Sequence, residues 1–297
     1  MQWFNIKEHS AGEKRLKLTL LLYKIFGEKI LYVIAFFVAF FTFLFANDIR
    51  QASAKYLDII KSHTNIKPTL LNQFRHICSY AFSLVDKMLV YMGKYDQNKI
   101  IFENETDKET LFRDINENRG VFFICNHIGN VEILEAFLTG ISNNPNRYIN
   151  IFLSNKQSQI FNRFLNDIKI NLPLKIYIIE ELGPETGIEL RESLDRGELI
   201  FIAGDRLSEN NEEKCIEIEL FDYNIHLPAG TFKMAKTAEA PIYYITAIKI
   251  NHKYKIYLSK QENVSLEELA RNYTEHLREM ILINPLQFFH FCDFFYK

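Results

Sequence analysis

Cysteine is scarce in this chain and scattered. Cys78, Cys125, Cys215 and Cys292 are the only ones in 297 residues, and no two form a Cys-x-x-Cys pair. That excludes a zinc ribbon and a disulfide framework, and fits a reducing compartment. The chain has no Gly-x-Ser-x-Gly elbow, which excludes the common serine-hydrolase arrangement. It has no Gly-x-Gly-x-x-Gly or Walker loop, so no nucleotide cofactor is expected. The 8 histidines are dispersed without a His-x3-His pair, and no metal is expected either. Charge of one sign is also lacking: Lys plus Arg number 35 and Asp plus Glu 37, for a net charge of -2. No basic domain stands out, which argues against a nucleic-acid partner. Internal repeats and low-complexity linkers are absent.

Hydrophobic residues, by contrast, make up 48%, and 26 of the residues are phenylalanine. The length suits one large α/β domain with a helical extension. The aromatics gather near both ends, a distribution that suggests an apolar surface as well as a core. The first quarter reads as helices. Glu13 to Phe26 is basic and amphipathic. Ile30 to Ala46 is an uncharged run of about 17 residues, the lower limit for crossing a bilayer. A long n-region of mixed charge and a Phe-rich run without a small-residue exit argue against a cleaved signal peptide. A transmembrane helix, an interfacial helix and a buried core helix remain open. Lysines at 24 and 29 and Arg50 flank both sides, so orientation stays open as well. Asp48–Ser62 and Pro68–Met92 continue the helical lead. In the second, Phe74, Ile77, Ala81, Leu84, Val85, Met88 and Leu89 recur at helical spacing, with Arg75 and His76 beside the stripe as ordinary polar positions.

After about residue 95 the period changes. Short apolar runs at 100–102, 121–125, 148–153, 175–179, 199–203, 215–221 and 242–250 alternate with helical patterns at 107–116, 131–138, 157–168, 185–194, 230–237 and 266–283. Tyr254–Leu258 adds an antiparallel strand through Asn251-His252. The expectation is an α/β fold: a mixed, mostly parallel sheet covered by helices over residues 96–297, behind an N-terminal helical region (1–95) carrying the hydrophobic helix 30–46.

The richest segment is Cys125-Asn126-His127-Ile128-Gly129-Asn130-Val131-Glu132, between an apolar strand and a helical pattern. Five helical positions span about 140° more than one turn, so His127 must sit in the turn that precedes the helix. Gly129 permits a left-handed turn, Asn130 is a candidate N-cap, and Glu132 falls in the first turn, where the helix dipole favours its charged form. A carboxylate that holds one imidazole nitrogen leaves the other to take a proton from a hydroxyl, the logic of a catalytic dyad. About one His-x4-acid match is expected by chance from 8 histidines and 37 acids, and the chain has one; the strand-to-helix context gives it meaning.

The segment Asn126–Glu132 resembles the His-x4-Asp/Glu signature of the lysophospholipid acyltransferase superfamily, and within it the His-x-Gly-Asn-x-Glu form of the bacterial lipid A biosynthesis acyltransferase branch. The likeness extends along most of the chain. Trp3 with Lys7-Glu8, and Arg50-Gln51-Ala52-Ser53 through Tyr56-Leu57, are similar to the branch's lead. Gly197–Arg206 is similar to a later strand-end block, and Phe221, Leu227–Ala235 and Ala240-Pro241-Ile242 to a segment near acceptor and acyl sites. Asn284–Phe291 is similar to a Pro-x-Gln-Trp-Phe ending, with Phe288 at the tryptophan position. Val131 replaces a common aromatic. Gly204-Asp205-Arg206 replaces a Pro-Glu-Gly-Thr-type block, which points away from a glycerol-phosphate acceptor.

The resemblance implies acyl transfer from a thioester donor, acyl carrier protein or coenzyme A, to a lipid-linked hydroxyl at the cytoplasmic face of a bacterial inner membrane, without a cofactor. It makes His127 the general base and Glu132 its orienting carboxylate. Asn126, Gly129, Asn130, Asp205, Arg206, Pro228 and Gly230 become candidate substrate contacts. Within that set, the backbone amides of Gly129 and Asn130 and the Arg206 side chain are the candidate oxyanion donors. Asn155, Lys156 and Arg163 read as a solvated face. The competing reading is a membrane-associated lipid-binding or scaffold protein without activity.

Overall fold

The computed structural model describes residues 21–117, 119–133, 147–168, 173–207 and 215–297. Trp3, Lys7, Glu8, the first part of the expected Glu13–Phe26 helix and everything past Ile133 in the helix expected after the His127 loop lie outside these residues.

The helical lead comprises α1 (Glu28–Phe45), α2 (Asn47–Ile60) and α3 (Leu70–Tyr91). Helix α1 buries only a narrow stripe, Leu31, Ala35 and Ala39. Leu31 packs with Val85 and Leu89, and Ala39 with Ile77 and Cys78, so α1 runs antiparallel along α3. The two alanines keep the contact close. Val33, Phe36, Phe37, Val38, Phe40, Phe41, Leu44 and Phe45 face outward and are exposed. The buried-core reading of this helix is therefore corrected: one edge is covered and the rest is open.

The body holds a seven-stranded sheet. Its strands are β1 (Ile100–Phe102), β2 (Val121–Cys125), β3 (Ile149–Leu153), β4 (Leu174–Ile178), β5 (Leu199–Ala203), β8 (Ile242–Ile250) and β9 (Lys253–Gln261). A separate hairpin joins β6 (Cys215–Leu220) to β7 (Tyr223–Pro228). The sheet order is β1-β9-β8-β2-β5-β3-β4. Strands β8, β2, β5, β3 and β4 run parallel, and β9 and β1 run against them at one edge. Helices α4 (Glu105–Asn116), α5 (Asn155–Ile168), α6 (Pro184–Asp195), α7 (Ala229–Thr237) and α8 (Leu266–Ile283) accompany it. This is the α/β architecture expected from the alternation of runs. Strand β2 is buried at every position, as a central strand covered on both faces must be. The β8–β9 turn uses Asn251 and His252, and the β6–β7 turn Phe221 and Asp222, all with positive φ. Such paired left-handed residues match the twist of two-residue hairpins.

The C-terminal tail stitches lead and body together. After α8, the turn Pro285–Gln287 sends Gln287 onto the backbone of Lys249 at the end of β8, donating to its carbonyl at 2.7 Å and accepting from its amide at 2.9 Å. Phe288 is fully buried. His76 of α3 donates to the Phe288 carbonyl at 2.8 Å and accepts from Ser53 of α2 at 3.0 Å. Asp86 of α3 is fully buried and accepts from Lys249 at 2.7 Å and Tyr254 at 2.6 Å, and also from Tyr32 of α1.

Burial pushes His76, and likewise His276 of α8, down to about 4. The unfolded chain protonates these groups near 6.5, so between about 6.5 and 4 the folded state binds fewer protons. Stability is therefore full above that window and falls as pH is lowered through it, by at most about 3 kcal/mol per histidine. Urea unfolding between pH 7 and 4.5 should show this slope, and His276→Gln should flatten it. An equal slope in the variant would contradict the assignment.

Candidate active site

Strands β2 and β5 are parallel and in register, Cys125 opposite Ala203. The pairing continues past the strands, since the Gly204 amide donates to the Cys125 carbonyl at 2.9 Å. His127 and Asp205 each stand two residues beyond a register pair, so the sheet itself sets them side by side at the carboxyl ends of its central strands. Ligands of open α/β sheets gather at this edge.

The Asp205 carboxylate is fully buried, and the His127 side chain is 29% exposed. Asp205 Oδ1 accepts from His127 Nδ1–H at 2.7 Å. Its Oδ2 accepts from the His127 backbone amide at 2.7 Å and from His290 Nε2–H at 2.9 Å. Burial alone would raise the Asp205 carboxyl, but two imidazoles and their hydrogen bonds outweigh it and hold the group well below the usual carboxylate range. His127 is pushed below the ordinary histidine value, first by burial and then by the nearby Arg206 charge, against the opposing pull of Asp205 and Glu132. The result is a neutral imidazole with Nδ1 protonated and Nε2 carrying the lone pair. Among the described residues, Nε2 has no hydrogen-bond partner.

The carboxylate orienting His127 is thus Asp205 and not Glu132, which corrects the expected dyad. Glu132 opens the helix after the loop and pairs with Lys87 of α3. Burial would raise its carboxyl, and the Lys87 charge and hydrogen bond more than reverse that. Its influence on His127 is through charge.

The expected backbone oxyanion donors are corrected too. The Gly129 amide donates to the Gln287 carbonyl at 2.8 Å and the Asn130 amide to the Ala247 carbonyl at 2.9 Å. Both are consumed in holding the loop. Asn130 is not a side-chain cap: among the described residues its buried Oδ1 accepts no hydrogen bond, and its Nδ2 donates to the Ser83 carbonyl of α3 at 2.9 Å. Asn126 is buried, accepts from the Ile128 amide at 3.1 Å and donates to Thr246 at 2.6 Å; Thr246 lies 2.8 Å from His276. It braces the loop and does not face a substrate. Arg206 is close enough for its charge to act on His127, and it donates to the Phe289 carbonyl at 2.9 Å. Pro228 closes β7, and Gly230 in the first turn of α7 is exposed with open space where a Cβ would sit. Thr231 beside it donates to the Ala203 carbonyl at 3.2 Å, placing the start of α7 against the end of β5. Arg163 is exposed and donates to Gln159 of its own helix, as a solvated face would.

His127, Asp205 and His290 also have the spacing of metal ligands, with donor atoms all within 4.8 Å. The carboxylate oxygens are hydrogen-bonded directly to both imidazoles, an arrangement that needs no ion. His290 and Lys87 belong to no local motif with His127, because each approaches from an element far away in the chain. In the sequence His290 is marked only by its place in the tail block Asn284–Phe291. Comparison with known proteins adds nothing to the geometry: no protein-family model matches the chain, and no curated protein matches it significantly.

Gly129 has φ +67°, and a Cβ there would stand 1.9 Å from the Ala247 carbonyl oxygen. Gly129→Ala should cost about 3 kcal/mol or more, since it adds a backbone clash to a strained conformation. Thermal unfolding would reveal it, and a variant with unaltered stability would refute this account of the loop.

Proposed function

We propose that the protein is a membrane-associated acyltransferase that moves a fatty acyl group from a thioester to a lipid-linked hydroxyl. The observation that supports this best is the partly exposed His127, neutral and tautomerically fixed by a fully buried carboxylate. His127 Nε2 takes the proton of the acceptor hydroxyl as its oxygen attacks the thioester carbonyl; the new C–O bond forms, the C–S bond breaks, and the departing thiolate takes the proton back from Nε2 to leave as the thiol. Asp205 offsets the imidazolium that forms and keeps the ring in place. Glu132, tied to Lys87, adds a second negative charge nearby. Arg206 is the cation best placed for the developing oxyanion. The resemblance of the His127 segment, the strand-end block and the tail to the lipid A biosynthesis branch supplies the substrate classes: an acyl carrier protein or coenzyme A thioester, and a glycolipid acceptor.

The lead supports the membrane part of the reading. Helix α1 is about 27 Å long, enough to approach a full crossing. It lies antiparallel on α3, however, and α3 carries Arg75, His76, Asp86 and Lys87. A spanning α1 would drag those groups, and the Lys249 and Tyr254 contacts of Asp86, into hydrocarbon. An interfacial helix, one edge on protein and the phenylalanine face in lipid, avoids that cost.

Purified protein given an acyl thioester and a lipid extract should release free thiol. His127→Ala should abolish the release, and Asp205→Asn should reduce it by about three to four powers of ten, because the imidazole loses its tautomer. Glu132→Gln should cost less than Asp205→Asn; the reverse order would return the orienting role to Glu132. Because the His127 pKa lies below the ordinary value, turnover should persist on acidification past pH 6.5 and fall only as the ring protonates. Thiol release by His127→Ala at the parental rate would remove the catalytic reading.

For the membrane, Phe37, Phe41 and Phe45 share the outward face and are 53, 54 and 78% exposed. Replacing all three with lysine should move the protein from the membrane fraction to the supernatant while leaving its unfolding transition in place. An unchanged distribution would show that this face is not the anchor.

A further inference from the structure

We propose that His290, in the C-terminal tail, is a positioning residue that aims Asp205 at His127; this rests on reading His127 as the catalytic base. Asp205 has two oxygens and three donors. Oδ2 is shared by the His127 amide and His290 Nε2–H, which leaves Oδ1 for the His127 ring. With Oδ2 held by the loop's His127 amide and the tail's His290 side chain, the carboxylate is fixed from two sides, and the tail supplies the side-chain half of that hold on the direction of Oδ1. His290 is itself held. Its side chain is 1% exposed, and its ring lies 4.6 Å from Phe288 and 4.5 Å from Phe294. Cys292 Sγ sits 3.8 Å from His290 Nδ1, which favours the tautomer with the proton on Nε2, facing Asp205. At that depth His290 meets no substrate, and its ring stands edge-on to His127 at 5.4 Å.

The tail is placed by contacts on every side of the loop. Besides the Gln287 contact to Gly129, the Phe289 amide donates to the His127 carbonyl at 2.8 Å, and together the two bonds make an isolated antiparallel bridge between Ile128 and Phe288. The charged and titratable groups around His127 are Asp205, Arg206, Glu132 and His290, and those around His290 are Asp205, Arg206, His127 and Cys292. Burial takes His290 down to about 4, so near neutrality it donates to Asp205 without adding a cation beside His127.

Removing the His290 donor makes Asp205 a hungrier acceptor toward the His127 ring and frees it to rotate. In the full chain in detergent micelles, His290→Phe keeps the ring packing without the donor, and His290→Gln keeps a donor at similar reach. NMR titration of the His127 imidazole should move upward by about half a pH unit or more in His290→Phe and return toward the parent in His290→Gln. In the thiol-release assay kcat should fall about tenfold in His290→Phe with KM little changed, again restored by Gln. The titration needs no turnover, so a chain inert toward thioesters would end the acyl-transfer reading while leaving this test intact. If His290→Phe does not fold, His290→Asn, too short to reach, takes its place against His290→Gln with the same difference expected. A His127 titration unchanged on loss of the donor, or equally altered with Gln, would overturn the proposal.

Discussion

The structure turns on one buried carboxylate. Asp205 has no contact with solvent, and a charge there is tolerable only because three N–H donors converge on it. Those donors come from two distant parts of the chain: the loop after β2 and the tail after α8. Leaving that charge unpaired would be expensive, so the carboxylate acts as a demand that the loop and the tail meet beside β5. The exposed imidazole is the only one of its partners with a face toward the outside.

The same convergence explains why the helical lead and the α/β body are hard to separate. The tail that reaches Asp205 also supplies the carbonyl that His76 of α3 binds. The loop that bears His127 sends Asn130 back to α3, and Glu132 meets Lys87 there. Helix α3 thus touches the site from one side and carries α1 on the other. Helix α1 is in this way joined to His127 through only one intervening element.

Much of the fold was legible because hydrophobic period follows directly from burial. The unbroken apolar runs of β2 and β5 marked them as strands with their observed bounds, and α8 was readable from end to end as Leu266–Ile283. Strand β7 was not, because Tyr223–Pro228 mixes polar and apolar residues, ends in proline and pairs in a separate hairpin. The apolar run of α1 could be seen, but not which side of it was covered; that depended on α3. In the site, His127 and the strand end at Gly204-Asp205-Arg206 were both recognisable from local context. Their relation was not. A spacing of five residues can suggest a partner only within one turn, whereas the partner that holds the ring is 78 residues away and is delivered by the register of two strands.

That difference bears on how the two carboxylates divide their work. Glu132 is nearest in sequence, yet it begins a helix, and its side chain is drawn to a cation on another helix. It retains a field at His127 without a bond to it. Asp205 makes the bond, and it can do so at fixed length because it has no solvent to exchange with. An imidazole flanked this way gains basicity from two negative charges and loses it to burial and to Arg206, and the balance stays below the ordinary value. A base so tuned is unprotonated at neutral pH and becomes a stabilised cation only when a proton is handed to it. Those are the two states a proton acceptor must occupy in turn.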